Sequence, residues 1–183
     1  MKKSIPNYLT MFRGVASLII IVLFFLEFSN KYLIIYILFI LAALSDYFDG
    51  YLARKWKVIT SFGIVFDPLF DKVLVLSLLM LLFPYGIVPG IILIILFLRD
   101  ITTDAFKNYL LAHQIKTPAI KIAKYKTACQ MIMINFMLLY INFYNTKELK
   151  TLSLVFGILA VIFSLWSGWI YFKRFWKFYK QQD

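Results

Sequence analysis

The sequence has one cysteine, one histidine and only nine acidic residues among 183. A single cysteine excludes an intrachain disulfide framework. Cys129, set among Ala128, Gln130 and Met131, reads as a packing residue. His113 falls in a polar link and reads as a solvated loop residue. No Ser, Cys or His stands beside an evident activating base, so a covalent enzyme intermediate has no candidate nucleophile. Also missing are an internal repeat, a low-complexity tail and the weak alternating pattern of a membrane barrel. Lys2 and Lys3 precede an apolar run, as in a signal peptide. That run continues from Val15 to Leu26 without a small-residue cleavage site, so a retained first span is expected.

What is abundant is apolar surface. Hydrophobic residues make up 62% of the chain and the mean hydropathy is +0.81, which in long runs indicates a membrane protein. The expected fold class is all-α and integral to the membrane, with six transmembrane helices over 8–28, 32–53, 64–84, 86–112, 121–144 and 150–176 in a single domain, 1–183. Helices are required because backbone groups in lipid must be satisfied within the segment. The breaks coincide with Glu27 to Lys31, Arg54 to Ser61, Phe83 to Gly86 with Pro89-Gly90, His113 to Lys121 with Pro118, and Asn145 to Lys150.

The net charge of +11 is not spread evenly. With six alternating helices, Lys2, Lys3, Arg13, Arg54, Lys55, Lys57, Lys107, Lys116, Lys121, Lys124, Lys126, Lys173, Arg174, Lys177 and Lys180 fall on one side. Lys31, Lys147 and Lys150 fall on the other. This bias puts both termini in the cytoplasm. It also accounts for the charge through anionic lipid headgroups, without a nucleic-acid partner. The C-terminal Trp166, Trp169, Tyr171, Phe172, Phe175, Trp176, Phe178 and Tyr179, interleaved with bases, read as an interfacial anchor.

Four of the nine acids sit at the cytoplasmic ends of spans two and three. An ionisable residue inside a span is a functional hypothesis by default. Asp46 and Asp49 are three apart, Asp67 and Asp71 four apart, so each pair shares a helix face. A short connection makes the two spans antiparallel neighbours and brings the pairs to similar depth. Four carboxylates so gathered repel unless protons or cations neutralise them. Hard divalent ions with oxygen ligands, two Mg²⁺ or Mn²⁺, suit them. The competing arrangement is ion pairing with Arg54, Lys55 and Lys72, a costly way to make a fold. Gly50 removes a side chain beside Asp49, Ala53 keeps the same face open, and Gly63 clears the opposite helix. Arg54 offers a forked donor suited to a diphosphate.

The segment Asp46-Tyr-Phe-Asp49-Gly50-Tyr-Leu-Ala53-Arg54, eight further residues, then Gly63-Ile-Val-Phe-Asp67-Pro-Leu-Phe-Asp71 resembles the signature of the CDP-alcohol phosphotransferases at all eight defining positions. The resemblance implies a six-helix fold, a homodimer and a site open to the cytoplasm at a bacterial inner membrane. It also implies that Asp46, Asp49, Asp67 and Asp71 are metal ligands and that Asp71 is in addition the general base. Gly50, Arg54 and Thr60 match positions that contact the CDP moiety. The chemistry then expected is direct displacement. The acceptor hydroxyl loses its proton to Asp71 and attacks the lipid-bearing phosphorus while CMP leaves.

The signature does not choose the acceptor alcohol, but flanking residues help. Ile5-Pro6-Asn7-Tyr8-Leu9-Thr10-Met11-Phe12-Arg13, Asp71-Lys72-Val73-Leu74-Val75 and Lys124-Tyr125-Lys126-Thr127 before Gln130-Met131 resemble the branch of the family that makes phosphatidylglycerophosphate. This implies CDP-diacylglycerol as donor and glycerol 3-phosphate as acceptor, with Asn7 and Thr10 near the nucleotide. Arg99, Lys124 and Lys126 are placed to meet the acceptor phosphate. Where that branch usually has Ala-Arg-Glu, this chain has Leu98-Arg99-Asp100. Asp100 and Asp104, with Lys107, read as a helix-supporting ion pair. Cardiolipin, phosphatidylserine or inositol-lipid synthesis is the rival within the family. A cation transporter is the rival outside it, disfavoured because its carboxylates would lie nearer the midplane, often with repeats.

Overall fold

A computed structural model describes residues 5–56, 60–115, 117–118, 120–143 and 146–180. Lys2, Lys3, Lys57 and Lys116 of the basic set, and the side chains of Ala53 and Arg54, lie outside the described residues. Among the described residues the regular structure is helical: α1 (Ile5–Phe25), α2 (Lys31–Trp56), α3 (Ser61–Leu82), α4 (Gly90–Ala112), α5 (Lys121–Asn142) and α6 (Lys147–Tyr179), with a short 3₁₀ turn at Phe83–Tyr85. Each expected span has its helix, with ends displaced by up to four residues. The largest displacement is at α4, which starts after Pro89 because proline at that place ends the extended link and presents no N–H to the helix.

Three of the helices are long and apolar enough to cross a membrane by composition: Pro6–Phe25, Lys31–Leu52 and Lys147–Tyr179. The other three are of spanning length but carry the chain's polar investment. α3 holds Asp67, Asp71 and Lys72, α4 holds Arg99, Asp100, Asp104 and Lys107, and α5 holds Lys126, Gln130 and Asn135. At 33 residues, α6 runs to roughly 50 Å against a hydrocarbon core of roughly 30 Å. Its C-terminal end carries the aromatic ladder Trp169, Phe172, Trp176 and Tyr179, stacked at centroid spacings of 5.5, 5.9 and 6.1 Å.

The helices sort into two compact units. One comprises Met1–Pro84 and Met137–Thr146, the other Tyr85–Phe136 and Lys147–Asp183. In the first, α1 packs against both α2 and α3. Ala16, Ile20, Ile35, Phe39, Ala42, Leu74 and Leu78 are buried there. Gly14 permits the α1–α3 approach: a Cβ on it would stand 2.7 Å from the ring of Phe70. In the second unit α4 packs on α6. The buried side of α6 is a line of small residues, Ser153, Gly157, Ala160, Ser164 and Ser167, which lets helices approach closely in lipid.

Candidate active site

The site of the first unit is built on α1 as well as on the two helices the spacing of acids singles out. Asn7, Thr10, Arg13 and Ser17 recur at three- and four-residue intervals and form one polar stripe on an otherwise apolar helix. Such groups are tolerable where each finds a partner. The Ser17 hydroxyl donates to the Arg13 carbonyl at 2.7 Å. Asn7 Oδ1 accepts from the Thr60 hydroxyl at 2.6 Å. Thr60 is also the N-cap of α3, its Oγ1 accepting from the Gly63 amide at 3.0 Å. The beginnings of α1 and α3 are thus tied through one hydroxyl.

The structure brings Asp46, Asp49, Asp67 and Asp71 together around Arg13. That arginine is fully buried and ion-paired with Asp46 Oδ1 through one terminal nitrogen. Its other terminal nitrogen lies 3.2 Å from Asp67 Oδ1, and its Nε lies 3.2 Å from Asp71 Oδ1. The last contact is ionic only: Arg13 Nε and Asp71 Oδ1 are both buried without a hydrogen-bond partner. The Thr10 hydroxyl stands 3.1 Å from Asp49 Oδ2, 2.6 Å from Asp67 Oδ1 and 3.0 Å from the Pro6 carbonyl. Having one proton, it serves these acceptors in turn. Asp49 is buried, whereas the side chains of Asp46, Asp67 and Asp71 keep 46%, 37% and 33% exposure. The cluster is therefore enclosed on the α1 side and open on the other.

Gly63 has a steric reason to be glycine. A Cβ there would lie 3.1 Å from both Asp67 Oδ2 and Thr60 Oγ1, tighter than ordinary contact. Pro68 follows Asp67 directly and lacks the N–H that would close the helix back to residue 64.

The ion pairing given to the acids differs from the one weighed on the sequence. Among the described residues Arg13, read there only as a topological charge, pairs with three of the acids; the side chain of Arg54 lies outside the described residues. The missed signal was its register with Asn7, Thr10 and Ser17. As for a metal, among the described residues no three His, Cys, Asp or Glu side chains stand together as a coordination shell. The carboxylates turn to Arg13. The donor set still suits a hard divalent ion. It is all oxygen, it gathers four carboxylates, and Asp71 Oδ1 is a buried acceptor without a hydrogen-bond partner.

The cations expected to meet an acceptor phosphate are distributed differently. Lys126 is buried and its Nζ donates to both oxygens of Asp100, at 2.7 and 2.6 Å. Arg99 spends its donors on Asp100 Oδ1 at 2.8 Å, the Ser164 carbonyl at 2.9 Å and the Ser167 hydroxyl at 2.5 Å. Arg99 and Lys126 are thus brought together, by Asp100; Lys124 is exposed. Asp100 consequently pairs across helices with Lys126 as well as with its neighbour Arg99, partners that the expectation of a local pair did not include. The Lys107 ammonium lies 4.6 Å from the Tyr171 ring centre. His113 caps α4 and is exposed. Its ring packs 4.5 Å from that of Tyr109 and 5.3 Å from that of Phe178, so it is more held than a solvated loop residue.

Comparison with known proteins agrees with this geometry. The family model for CDP-alcohol phosphatidyltransferase matches residues 3–166, which run through both units. The CDP-diacylglycerol–glycerol-3-phosphate 3-phosphatidyltransferase of Rickettsia typhi is 32% identical over 171 residues, covering 93% of this chain and 96% of its own length. The protein of that name from Wigglesworthia glossinidia brevipalpis is 39% identical over 173 residues, 88% of this chain and 91% of its own. The one from Haemophilus influenzae is 33% identical over 174 residues, 91% and 90% of the two chains. With the spaced aspartates gathered on neighbouring helices and the match extending over most of its length, the chain belongs to the CDP-alcohol phosphatidyltransferase family.

Proposed function

We propose that this protein transfers the phosphatidyl group of CDP-diacylglycerol to glycerol 3-phosphate, giving phosphatidylglycerophosphate and CMP. The observation that carries the reading is the gathering of Asp46, Asp49, Asp67 and Asp71 in a chain whose relatives, similar over about nine-tenths of both lengths, bear the name of that reaction.

Asp46, Asp49, Asp67 and Asp71 would hold two divalent ions, Mg²⁺ or Mn²⁺. When bound, these would neutralise the diphosphate and the departing CMP. Everything else falls to the chain. Asp71 Oδ1, buried and without a hydrogen-bond partner, is the atom to take the proton from the acceptor hydroxyl. The deprotonated acceptor oxygen then attacks the lipid-bearing phosphorus, the bond from this phosphorus to the CMP oxygen breaks, and the proton stays on Asp71. Asn7, Thr10, Asp49, Gly50, Ala53, Arg54, Thr60 and Gly63 line the CDP side of the reading. Thr60 and Gly63 shape the start of α3 there, the one as its cap and the other as the gap beside Asp67. Because the family match runs from residue 3 to residue 166, we read the chain as one catalytic domain. Its six helices span a bacterial inner membrane, with termini and site on the cytoplasmic face, and two copies pair.

The test is a purified preparation given CDP-diacylglycerol, Mg²⁺ and, separately, glycerol 3-phosphate, serine, an inositol phosphate or phosphatidylglycerol, with CMP release followed. Release with glycerol 3-phosphate is expected. Release only with another alcohol would overturn the acceptor. No release with any of them would overturn the activity.

A further inference from the structure

Arg13 has no part in the reading above, yet it is the most enclosed charged group in the first unit and touches three of the four acids. Thr10, one turn earlier on the same face, reaches the fourth, Asp49, and shares Asp67. The stripe on α1 therefore contacts every carboxylate of the cluster. A guanidinium presents donors on three nitrogens in a fixed plane. Here all three nitrogens are used, one per acid, and the acids come from two different helices. Without this cation, four carboxylates at close range would push α2 and α3 apart.

We propose that Arg13 is a positioning residue, an internal counter-ion that keeps Asp46, Asp67 and Asp71 assembled before divalent ions arrive and gives up carboxylate oxygens to them. The inference rests on the reading of these acids as metal ligands. Two features separate it from a plain structural ion pair. Arg13 brings one positive charge to the three carboxylates it touches, so its own compensation of them is partial and leaves them attractive to further cations. The contact with Asp71 Oδ1 is ionic without hydrogen bonding, so that oxygen can be released at small cost. A buried pair that only held helices together would be expected to saturate its hydrogen bonds. Arg13 thus opposes metal binding by charge repulsion and by occupying ligand atoms, while preventing the site from flying apart when empty.

The sign of the effect makes it testable without turnover. Full-length wild type, Arg13→Gln and Arg13→Lys are purified in detergent and titrated with Mn²⁺ in the absence of CDP lipid. Free Mn²⁺ is followed by its paramagnetic resonance signal, and melting is recorded in chelator and in saturating Mn²⁺. Removing a positive charge a few ångströms from the ions is expected to tighten Mn²⁺ binding by about tenfold or more. Melting in chelator should fall, and the gap to wild type should close in saturating Mn²⁺. Arg13→Lys, a point charge that cannot span three carboxylates, should also bind Mn²⁺ more tightly than wild type, though less so than the Gln variant. It carries the test if the Gln variant does not fold in chelator. A merely structural pair would move melting and Mn²⁺ affinity downward together. Equal or weaker Mn²⁺ binding in the variants, or none by the wild type, overturns the proposal. CMP release by the same wild-type preparation judges the transferase reading separately.

Discussion

Among the described residues a charged cluster stands in each unit, and the two contrast in composition. In the first, Arg13 pairs with three of four gathered aspartates; in the second, Asp100 pairs with Arg99 and Lys126. Their states of completion differ. Around Asp100 the side chains of Arg99, Asp100 and Lys126 keep only 10%, 9% and 8% exposure, and five hydrogen bonds tie them to each other and to Ser164 and Ser167. Around Arg13 three of the carboxylates are a third to a half exposed, and Asp71 Oδ1 goes without a hydrogen bond. A saturated, enclosed cluster locks helices. An open cluster with charge left over suits the cation binding proposed for it. The same residue types therefore serve opposite ends, and the difference lies in charge balance and access, not in burial of a charge as such.

The sharpest way to break this contrast is to remove the same functional group from each side. Asp71→Asn keeps shape and takes away the proton acceptor. Turnover should drop by about 10²- to 10⁴-fold. Melting should stay at or above wild type, because one of four mutually repelling charges is gone. CMP release at near-normal rate would remove Asp71 from the role of base.

Asp100→Asn should behave in reverse. It leaves Lys126 and Arg99 facing each other without their shared counter-ion, a change worth about 3–5 kcal/mol of stability when the pair is buried. The melting temperature should fall clearly, while turnover per folded molecule falls far less than in Asp71→Asn. If instead Asp100→Asn melted normally and raised KM for glycerol 3-phosphate, the second cluster would be a ligand site and the contrast would fail.

The acids were legible because a helix repeats its face every three to four residues. Asp46 with Asp49, and Asp67 with Asp71, could hardly serve separate faces. Gly63 was legible for a related reason, and the 3.1 Å clearance at its would-be Cβ gives the physical content. Arg13 was not, because a basic residue near a span end has a ready topological explanation. Only its register with Asn7, Thr10 and Ser17 distinguishes it. The partners of Arg99 were out of reach for a different reason: Ser164 and Ser167 lie 65 and 68 residues further along, and no local period links them. α1, α2 and α6 are apolar enough to cross a membrane even with Arg13 in α1 and Asp46 and Asp49 in α2, whereas charged and polar residues dilute the apolar character of α3, α4 and α5.

The smallest expected effect sharpens the contrast by separating stability from chemistry. α4 ends with His113 as its cap and Gln114 in the left-handed region, at φ 61°. The Gln114 amide donates to the Leu111 carbonyl and the Ile115 amide to the Leu110 carbonyl, each at 2.9 Å. This is the paired closure that glycine usually provides at a helix end, because glycine alone takes that conformation without a Cβ penalty. A glutamine there gives up about 1–2 kcal/mol to sterics. Gln114→Gly should recover part of it, about 0.5–1 kcal/mol after the larger entropy of the unfolded chain is counted. A rise in melting temperature of a few degrees is expected, with turnover unchanged. Gln114 makes none of the contacts of Asp100, so the gain should add to Asp100→Asn and restore part of its melting temperature. It should do nothing for the turnover of Asp71→Asn. Restored CMP release in the Asp71→Asn, Gln114→Gly double variant would mean that the loss at Asp71 was one of folding, and the two clusters would then differ in degree only.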